Sequence, residues 1–337
     1  MRAVLLNAPG GPEALTVGEV PDPVPGPGEL RLRVRSTSVN RLDVWIRNGT
    51  YPVPYPHILG ADVAGEVESL GPDTTGRFPV GTRVLVYPGL SCGECPACRM
   101  GRESFCEKLG LLGRQRWGGY AELLAVPEEL CLPLPKELSF DEAAALPVAY
   151  TTAEHMLSRA GVRGGEAILV FGATGGVGTA LIDRARRRGT RTFAVTSQSS
   201  TVSPLRRLGA ESVLRFPDLT PWDGGPPLPP LVDAALDSVG RSAFPLALSR
   251  LRKGGRYAIC GASSGAEAGV DLRLVYSRQL EVIGCFLGDR SDLRTLLEEA
   301  RHGELHPVLH ARYALAEAAR AHRELDAPHL GKFLLHP

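Results

Sequence analysis

The chain has 337 residues, of which 43% are hydrophobic and 22% charged, with a formal net charge of +1. This length favours two domains, and the near-zero charge provides no basic field for binding nucleic acid or a membrane surface. No apolar run reaches the roughly 18 residues of a membrane-spanning helix. The apolar start of the chain is too short for a signal peptide, so a cytoplasmic location is expected.

The first 90 residues are predicted to be rich in β-strands. Short apolar or alternating runs occupy residues 3–6, 30–35, 63–68 and 83–86, and turn residues separate them. Strands at this spacing favour a small barrel or sandwich over a parallel sheet. Polar residues are mixed with apolar ones over residues 38–65. This mixture fits the wall of a binding cleft, and it fits equally a helix with a solvated face followed by a turn.

Four cysteines are crowded into a short segment after these strands, at Cys92, Cys95, Cys98 and Cys106. Four thiolates at this spacing can enclose one tetrahedral zinc ion, and such a closed site has no open position for a substrate. We therefore predict a structural zinc. An iron–sulfur cluster and four reduced, metal-free thiols are the alternatives.

A glycine-rich stretch follows a region of predicted helices. Ser139 and Glu142 form a capping-box pattern, and residues 150–160 favour a helix. Residues 167–182 then read as a buried strand, a glycine turn and the start of a helix that continues to residue 188. With a second strand at residues 192–196, this completes a βαβ unit. Such a turn can bind a pyrophosphate at the helix N-terminus, although an ordinary glycine turn has the same pattern.

The sequence after this βαβ unit favours NADPH over NADH. A carboxylate about 20 residues beyond the turn binds the adenosine ribose in NAD-preferring sites, but no Asp or Glu occurs between Asp183 and Glu211. Serines follow the second strand instead, and Arg206 and Arg207 come soon after. Hydroxyl and guanidinium groups suit a 2′-phosphate. The alternative is a solvated loop and a site that accepts either cofactor.

The remaining chain alternates between predicted strands and helices, and six prolines exclude a helix from residues 217–230. Predicted strands are at residues 213–216, 231–240, 255–264, 280–286 and 332–335, and predicted helices are at 203–209, 244–252, 292–302 and 315–325. Strands that end in small residues are typical of an open parallel sheet with a ligand at that end.

The Gly-Ala-Asp turn at Gly60, the four-cysteine lobe and the GATGGVG turn at Gly172 together resemble the medium-chain dehydrogenase/reductase superfamily, and most closely its bacterial zinc-type alcohol dehydrogenase-like and quinone oxidoreductase branch. The resemblance covers essentially the whole chain. It implies a GroES-like β-rich catalytic domain over residues 1–146 and 288–337, with a zinc lobe at about 89–107. It also implies a Rossmann domain, with a doubly wound parallel sheet, over residues 147–287, and an active site in the cleft.

The resemblance also exposes departures that concern the catalytic metal. Where zinc alcohol dehydrogenases hold a catalytic ion, this chain has Asn40, Ala61 and an alanine near Ala144. Leu42 and Trp45 stand where the proton relay is expected. We therefore predict one structural zinc and no catalytic zinc. The alternative, a site made from His57 and Asp62, lacks the third ligand that a working zinc ion needs.

The predicted catalytic residues are Asn40 and Tyr51, which are similar to the quinone oxidoreductase pattern. Without a Lewis acid, hydride must go to a carbon activated by conjugation, with these two side chains donating hydrogen bonds to the developing negative charge. The hypothesis is therefore an NADPH-dependent reductase of quinones or activated alkenes. The alternatives are an alcohol or aldehyde dehydrogenase, a nucleotide-binding protein without turnover, and purely structural roles for Asn40 and Tyr51.

The same resemblance implies which residues contact the dinucleotide and how the chain associates. The cofactor contacts are Thr152, Gly172, Thr174, Gly175, Gly176, Val177, Gly178, Ser197, Val239, Gly261, Cys285 and Phe286. Pairing of edge strands, such as the one near Leu280, would give a homodimer or homotetramer that acts on a small-molecule substrate.

Overall fold

The computed structural model describes all residues from Met1 to Pro337. The chain divides into two compact units. Unit 1 comprises Met1–Val148, Asp289–Pro328 and Lys332–Pro337, and unit 2 comprises Ala149–Gly288 and His329–Gly331. No helix is long and apolar enough to span a membrane.

The first 148 residues are dominated by short strands, as the sequence predicts. The strands are β1 Arg2–Leu6, β2 Leu15–Glu19, β3 Glu29–Ser38, β4 Asp62–Leu70, β5 Arg83–Val86, β6 Gly89–Leu90, β7 Gly110–Leu111, β8 Leu123–Pro127 and β9 Cys131–Pro133. Three short helices interrupt them, namely α1 Arg41–Arg47, α2 Pro96–Arg99 and α3 Phe140–Ala144. The predicted capping box is present at the start of α3, where Ser139 Oγ accepts from the Glu142 backbone N–H and the Glu142 carboxylate accepts from the Ser139 backbone N–H.

Unit 2 is built on a six-stranded parallel sheet. Its strands are β10 Ala167–Phe171, β11 Arg191–Thr196, β12 Ser212–Arg215, β13 Val232–Asp237, β14 Leu251–Ile259 and β15 Glu281–Gly284. Its helices are α4 Ala149–Arg159, α5 Gly176–Arg187, α6 Val202–Leu208, α7 Phe244–Arg250 and α8 Leu272–Arg278. The strand order is β12-β11-β10-β13-β14-β15, which is the doubly wound Rossmann order. Strands β11 and β12 are added on one side of β10, and the later strands are added on the other side, starting with β13. In such sheets a ligand binds at the carboxyl ends of the strands, where the order changes from one side to the other.

The last 49 residues return to unit 1, except for the short His329–Gly331 segment. They form α9 Arg290–Arg301, β16 Leu309–Ala314, α10 Ala318–Glu324 and β17 Lys332–His336. The main sheet of unit 1 has the order β16-β17-β3-β4-β5-β9, with β8 also paired to β3. All its pairs are antiparallel except β16 with β17. A strand from the end of the chain therefore pairs directly with β3, so residues far apart in sequence become neighbours.

Each unit has its own apolar core. In unit 1, side chains from β1, α1 and the C-terminal segment meet, including the fully buried Leu6, Ile46 and Phe333. In unit 2, β10 is buried at every position, because helices cover both faces of a doubly wound sheet. Leu169 and Phe193 belong to the cluster on one of these faces.

The structure differs from the sequence prediction at a few elements. Five strands of unit 1 were not predicted, namely β2, β6, β7, β8 and β9. Helix α8 and strand β16 were not predicted either, because α8 buries none of its residues and β16 buries only Tyr313, so neither has the periodicity of a half-buried element. Helix α7 ends two residues earlier than predicted, since β14 begins at Leu251. Helix α6 begins at Val202, after a 3₁₀ turn, rather than at the predicted residue 203. The proline-rich segment contains no helix, as predicted.

Candidate functional site

The four clustered cysteines lie in a lobe whose base is closed by the β6–β7 pair. Their sulfur atoms all lie within 4.8 Å of one another. The Sγ–Sγ distances are 3.4 Å for Cys95 with Cys98, 3.6 Å for Cys92 with Cys106 and 3.9 Å for Cys92 with Cys98. The structure therefore brings together the four thiols that the sequence singled out, and none of them is in a disulfide.

This thiol set fits a tetrahedral metal ion. A zinc–sulfur bond of about 2.3 Å places tetrahedral sulfur ligands about 3.8 Å apart, close to the distances found here. Backbone N–H groups also face the sulfurs. The N–H of Cys98 donates to Cys95 Sγ, and the N–H groups of Glu94 and Cys95 lower the pKa of the Cys92 thiol to about 6. The lowered pKa favours the thiolate form of Cys92, which is the form that binds metal, whereas burial and the hydrogen bond with Cys95 raise the pKa of Cys98 to about 11.

The glycine-rich turn of unit 2 is built so that two backbone segments can approach closely. Gly172, directly after β10, has φ +71°, and a Cβ there would lie 2.4 Å from Ser238 Oγ. A Cβ on Gly178 would lie 2.1 Å from the Gly172 carbonyl oxygen. Only glycine fits both positions, so the turn can pass from strand to helix without covering the helix N-terminus.

The N-terminus of α5 is open to an anionic ligand. The helix begins at Gly176, and its N-cap is Gly175, which has no side chain to cap the first backbone N–H groups. These groups therefore keep their partial positive charge for a ligand. Val177 lies in the first turn with Gly176, as the resemblance requires of a pyrophosphate contact.

A cavity of about 240 Å³ lies beside this turn, at the carboxyl ends of β10 and β11. Four predicted cofactor residues line it, namely Gly172, Thr174, Ser197 and Val239. The other predicted residues lie elsewhere in unit 2: Thr152 is buried on α4, Gly261 follows β14, and Cys285 and Phe286 follow β15. A Cβ on Gly261 would lie 2.6 Å from the Ser238 carbonyl oxygen, so this backbone approach also depends on glycine.

Asp237 holds the loop that contains Val239, a role that is not among those predicted from the sequence. Its carboxylate accepts from the backbone N–H groups of Val239 at 2.6 Å and Gly240 at 3.0 Å, and from the Tyr257 hydroxyl. Burial raises the pKa of Asp237. Its position at the end of a buried strand is the sequence signal that could have identified it.

The two arginines proposed for a 2′-phosphate have different surroundings. Arg206 forms an ion pair with Asp223 at 3.6 Å, so the proline-rich segment engages it, whereas Arg207 is exposed. Trp222 of the same segment donates its indole N–H to the Thr196 carbonyl oxygen at 3.3 Å. The proline-rich segment therefore packs against the end of β11, next to the cavity.

In unit 1, Asn40 occupies the N-cap position of α1, but its amide does not cap the helix. The Asp43 carboxylate accepts from the Asn40 backbone N–H at 2.7 Å, which is one arm of a capping box. The Asn40 amide instead donates to Asp62 Oδ2 at 2.8 Å and accepts from Lys332 Nζ at 2.6 Å.

Asp62 and Lys332 form a buried ion pair. Asp62 is 0% exposed and Lys332 is 4% exposed, and their charged atoms are 3.1 Å apart. The Asp62 carboxylate also accepts from Ser38 Oγ and from the Val148 backbone N–H. The sequence predicts a strand at Lys332 but no role for its ammonium group. The sequence offers one signal for such a role. The chain has only four lysines, and Lys332 stands at the start of an apolar run.

At the places that the resemblance assigns to the ligands of a catalytic metal, this chain has side chains that lack a ligand atom or that already have hydrogen-bond partners. Ala61 and Ala144 are fully buried and have no ligand atom. Asp62 already holds the Lys332 ammonium. The Nε2–H of His57 donates to the Gly113 carbonyl oxygen at 3.0 Å, and burial lowers the pKa of this histidine. The alternative of a site made from His57 and Asp62 is therefore not supported by these contacts.

Tyr51 lies close to α1 and is partly buried. Its ring packs edge-on against Trp45, at 5.8 Å between ring centroids, and the Arg114 guanidinium lies 4.5 Å from its ring centroid. The Tyr51 hydroxyl has no hydrogen-bond partner within the chain, so it is available to a ligand.

A chain of four buried polar side chains lies beside Asn40. Arg47 can only donate, so its contact with His322 Nδ1 at 3.2 Å makes that nitrogen an acceptor. His322 Nε2–H then donates to the Tyr120 oxygen at 3.1 Å, and the Tyr120 hydroxyl donates to Asp43 Oδ2 at 3.3 Å. Burial raises the pKa of Asp43 to about 7, and burial together with the nearby arginines lowers the pKa of His322 to about 3.

Two family models match the chain. The alcohol dehydrogenase GroES-like domain matches residues 26–136, and the zinc-binding dehydrogenase matches residues 176–301. Among curated proteins, a quinone oxidoreductase of Pseudomonas aeruginosa is 31% identical, with 97% of this chain and 96% of that protein covered. An acryloyl-coenzyme A reductase of Metallosphaera sedula is 28% identical, with 99% of both covered.

A solved structure also covers the whole chain. It is a cobalt- and zinc-bound thermostable alcohol dehydrogenase from Pyrobaculum aerophilum, which is 37% identical and superimposes with a TM-score of 0.91. The match covers 100% of this chain and 99% of that one. Both the GroES-like unit and the Rossmann unit expected from the sequence are thereby confirmed.

The neutral state of His322 predicts a pH-dependent contribution to stability. Its pKa is about 3 in the folded chain against an ordinary 6.5, so this contribution is present above pH 6.5 and is lost as the pH falls towards 3. Glutamine can accept from Arg47 and donate to Tyr120 without titrating. We expect the unfolding free energy of the wild type to fall relative to that of His322→Gln across this range, by about 1.4 kcal/mol per pKa unit.

Urea unfolding at successive pH values measures this difference. His302→Gln, which changes an exposed histidine, is the control and should follow the wild type. Parallel stability curves for wild type and His322→Gln would contradict a buried neutral histidine.

Proposed function

Because the chain belongs to the medium-chain dehydrogenase/reductase superfamily, in its zinc-type alcohol dehydrogenase and quinone oxidoreductase branch, we propose that it reduces quinones or activated alkenes with NADPH and without a catalytic zinc. Membership makes the protein an oxidoreductase that uses a nicotinamide dinucleotide. The class of acceptor, the choice of NADPH and the metal content are the proposal.

The observation that carries the proposal is the buried cluster of Asn40, Asp62 and Lys332. A catalytic zinc needs three protein ligands and an open position. At the matching places this chain has an amide, two alanines and a carboxylate that is paired with an ammonium group. An ion placed there would have to displace Lys332 from three hydrogen bonds.

The chemistry that remains without a Lewis acid is hydride addition to a conjugated acceptor. The bound dinucleotide supplies the hydride. The Asn40 amide N–H and the Tyr51 hydroxyl donate to the acceptor's oxygen, where negative charge develops as the hydride adds to carbon. A proton from solvent or from the Tyr51 hydroxyl then completes the reduction. An alcohol has no such conjugated acceptor and needs its proton removed, which these two donors do not achieve.

The names of two relatives agree with an acceptor of this class. The Pseudomonas aeruginosa protein is a quinone oxidoreductase, and the Metallosphaera sedula protein is an acryloyl-coenzyme A reductase. A quinone and an acryloyl thioester share a carbon–carbon double bond conjugated with a carbonyl group. The pairing of an N–H and an O–H donor suits the carbonyl oxygen of both.

The choice of NADPH rests on the end of β11. No Asp or Glu follows β11 before Glu211 to bind the ribose hydroxyls of NADH, and the exposed Ser197 lines the cavity. Arg207 is exposed on the following helix and can pair with a 2′-phosphate. Arg206 contributes less than the sequence suggested, because Asp223 already pairs with it.

The four-cysteine lobe is proposed to hold one structural zinc through Cys92, Cys95, Cys98 and Cys106. The thiols fill all four positions of a tetrahedral shell, so an ion there has no site for substrate and stabilises the lobe instead. The lobe contains two very short helical turns and few buried side chains, so it has little apolar core of its own.

Edge-strand pairing is proposed to form a homodimer, which can assemble further into a tetramer. Strand β15 is the edge of the unit 2 sheet, and within that sheet it pairs only with β14. Large apolar side chains are exposed around this edge: Leu272 68%, Tyr276 69%, Val282 51% and Phe286 50%. An exposed edge strand with apolar neighbours is a ready surface for pairing with a second copy.

Nicotinamide absorbance tests the proposed reaction. We expect the purified protein to oxidise NADPH faster than NADH when offered p-benzoquinone or an enone, and to leave alcohols unoxidised with NADP⁺ or NAD⁺. Asn40→Ala should lower kcat about 100-fold because a donor to the developing charge is lost. Tyr51→Phe should also lower kcat.

Tyr55→Phe is the matched control, because it removes the hydroxyl of a nearby exposed tyrosine, and it should keep wild-type kcat. Oxidation of alcohols at comparable rates would refute the metal-free reductase. Binding of NADPH without turnover of any acceptor would favour a nucleotide-binding protein.

Metal analysis of the purified protein tests the zinc assignments. One zinc per chain is expected, and Cys106→Ser should lose most of it because a thiolate ligand is replaced by a poor one. Cys131→Ala, which alters a buried cysteine outside the lobe, should retain one zinc. Two zinc ions per chain, or a visible absorption band from an iron–sulfur cluster, would contradict the assignment.

Sedimentation velocity tests the association. The wild type is expected to sediment as a dimer or tetramer, and Val282→Arg should shift it towards the monomer by burying a charge at the paired edge. Val80→Arg, at an exposed valine of unit 1, should leave the distribution unchanged. A wild type that is monomeric at all concentrations would rule out edge pairing.

A further inference from the structure

We propose that Lys332 is a positioning residue, which fixes the orientation of the Asn40 amide so that its nitrogen, and not its oxygen, is presented to the substrate. The inference rests on the proposed function, since it assigns Asn40 the task of donating to a substrate oxygen. It concerns a residue from the last strand of the chain, 292 positions away from the residue that it orients.

The Lys332 ammonium has no hydrogen left for a substrate. Its Nζ donates to the Val39 carbonyl oxygen at 3.1 Å, to Asn40 Oδ1 at 2.6 Å and to Asp62 Oδ2 at 3.1 Å. An ammonium group has three hydrogens, and three acceptors use them. Lys332 therefore acts through its neighbours and does not touch the reacting atoms.

The contacts of Asn40 determine which way its amide faces. Lys332 can only donate, so the atom beside it must be the amide oxygen. The Asp62 carboxylate accepts, so the atom beside it must be the amide nitrogen. Turning the amide over would place its NH₂ group against the ammonium and its oxygen against the carboxylate, which makes two repulsive contacts. One of the two N–H hydrogens of Asn40 remains after the bond to Asp62.

The Asp62 carboxylate alone balances the charge of Lys332. The contact between Lys332 and Asn40 is therefore not needed to pair charges, which argues that this contact has another role. Asp62 supplies the countercharge, and Ser38 and Val148 donate to the same carboxylate. Asn40 adds no charge to this group.

The Asn40 side chain also does not make the hydrogen bond that is usual for an asparagine at the N-cap of a helix. Asparagine at an N-cap ordinarily accepts from the helix backbone, but here its side chain is turned to the ion pair. The Asp43 carboxylate holds the Asn40 backbone in place instead, at 2.7 Å. Backbone and side chain of Asn40 are thus fixed by separate partners, as an oriented donor requires.

A charge-balanced double variant tests the inference. Lys332→Met alone would leave the Asp62 carboxylate buried and unpaired, and the chain could fail to fold. Lys332→Met combined with Asp62→Asn removes both charges and keeps side chains of similar size. We expect this variant to fold and bind NADPH like the wild type, with kcat for an enone about 10- to 100-fold lower, because the amide can now turn over.

The same double change in an Asn40→Ala background separates positioning from a structural effect. If Lys332 acts through Asn40, the added substitutions should produce no further fall in kcat once the amide is gone. An equal fold-loss in both backgrounds would overturn the inference, as would wild-type kcat in the double variant.

A readout independent of turnover distinguishes failure of this inference from failure of the proposed function. The side-chain amide resonances of Asn40 in a ¹H–¹⁵N spectrum are identified by their absence in Asn40→Ala. We expect one of the two amide hydrogens to be protected from solvent exchange in the wild type and in Asp62→Asn alone, where Lys332 still donates to Asn40 Oδ1, and to lose that protection in the double variant. Unchanged protection would refute the role of Lys332 even if quinones are reduced. Lost protection with no turnover of any acceptor would refute the proposed reaction alone.

Discussion

A carboxylate that is completely removed from water must be compensated, and Asp62 is such a group. The compensation comes from four donors on separate segments. These are Ser38 on β3, Asn40 before α1, the Val148 backbone N–H before α4, and Lys332 on β17. Because Lys332 lies on β17, its contact with Asp62 helps to hold the last strand of the chain in the sheet of unit 1. The need to compensate Asp62 also explains why Ser38, Asn40 and Lys332 are buried although they are polar.

A second constraint of a different kind governs the Rossmann unit. There two segments of the chain approach so closely that a Cβ on Gly172 would clash with Ser238 and a Cβ on Gly178 with the Gly172 carbonyl group, so side chains are excluded from the turn. The polar groups nearby serve to hold backbone in place, as Asp237 does for Val239 and Gly240. One unit thus presents oriented side chains, and the other presents backbone N–H groups.

Much of the fold could be predicted from local patterns. The buried run at β10, the glycine turn and α5 follow from hydrophobic periodicity and glycine chemistry, and the capping box before α3 was visible in four residues. Helix α8 and strand β16 could not be predicted in this way, because they bury almost nothing within the chain. The crowding of four cysteines was visible in the sequence, whereas the pairing of Arg206 with Asp223 needed the path of a proline-rich segment without regular structure.

The sequence by itself determined the superfamily, the two kinds of domain, the positions of the thiols and the alanines that stand where metal ligands would be needed. These depend on residue identity and short-range spacing. Only the tertiary structure decided that the Lys332 ammonium faces Asn40 and Asp62, that the Asn40 amide is turned away from its helix, and that His322 continues a chain of hydrogen bonds from Arg47 to Asp43. The physical reason is that each of these contacts joins residues separated by up to 292 positions, and the pairing of β17 with β3 creates the neighbourhood of Lys332.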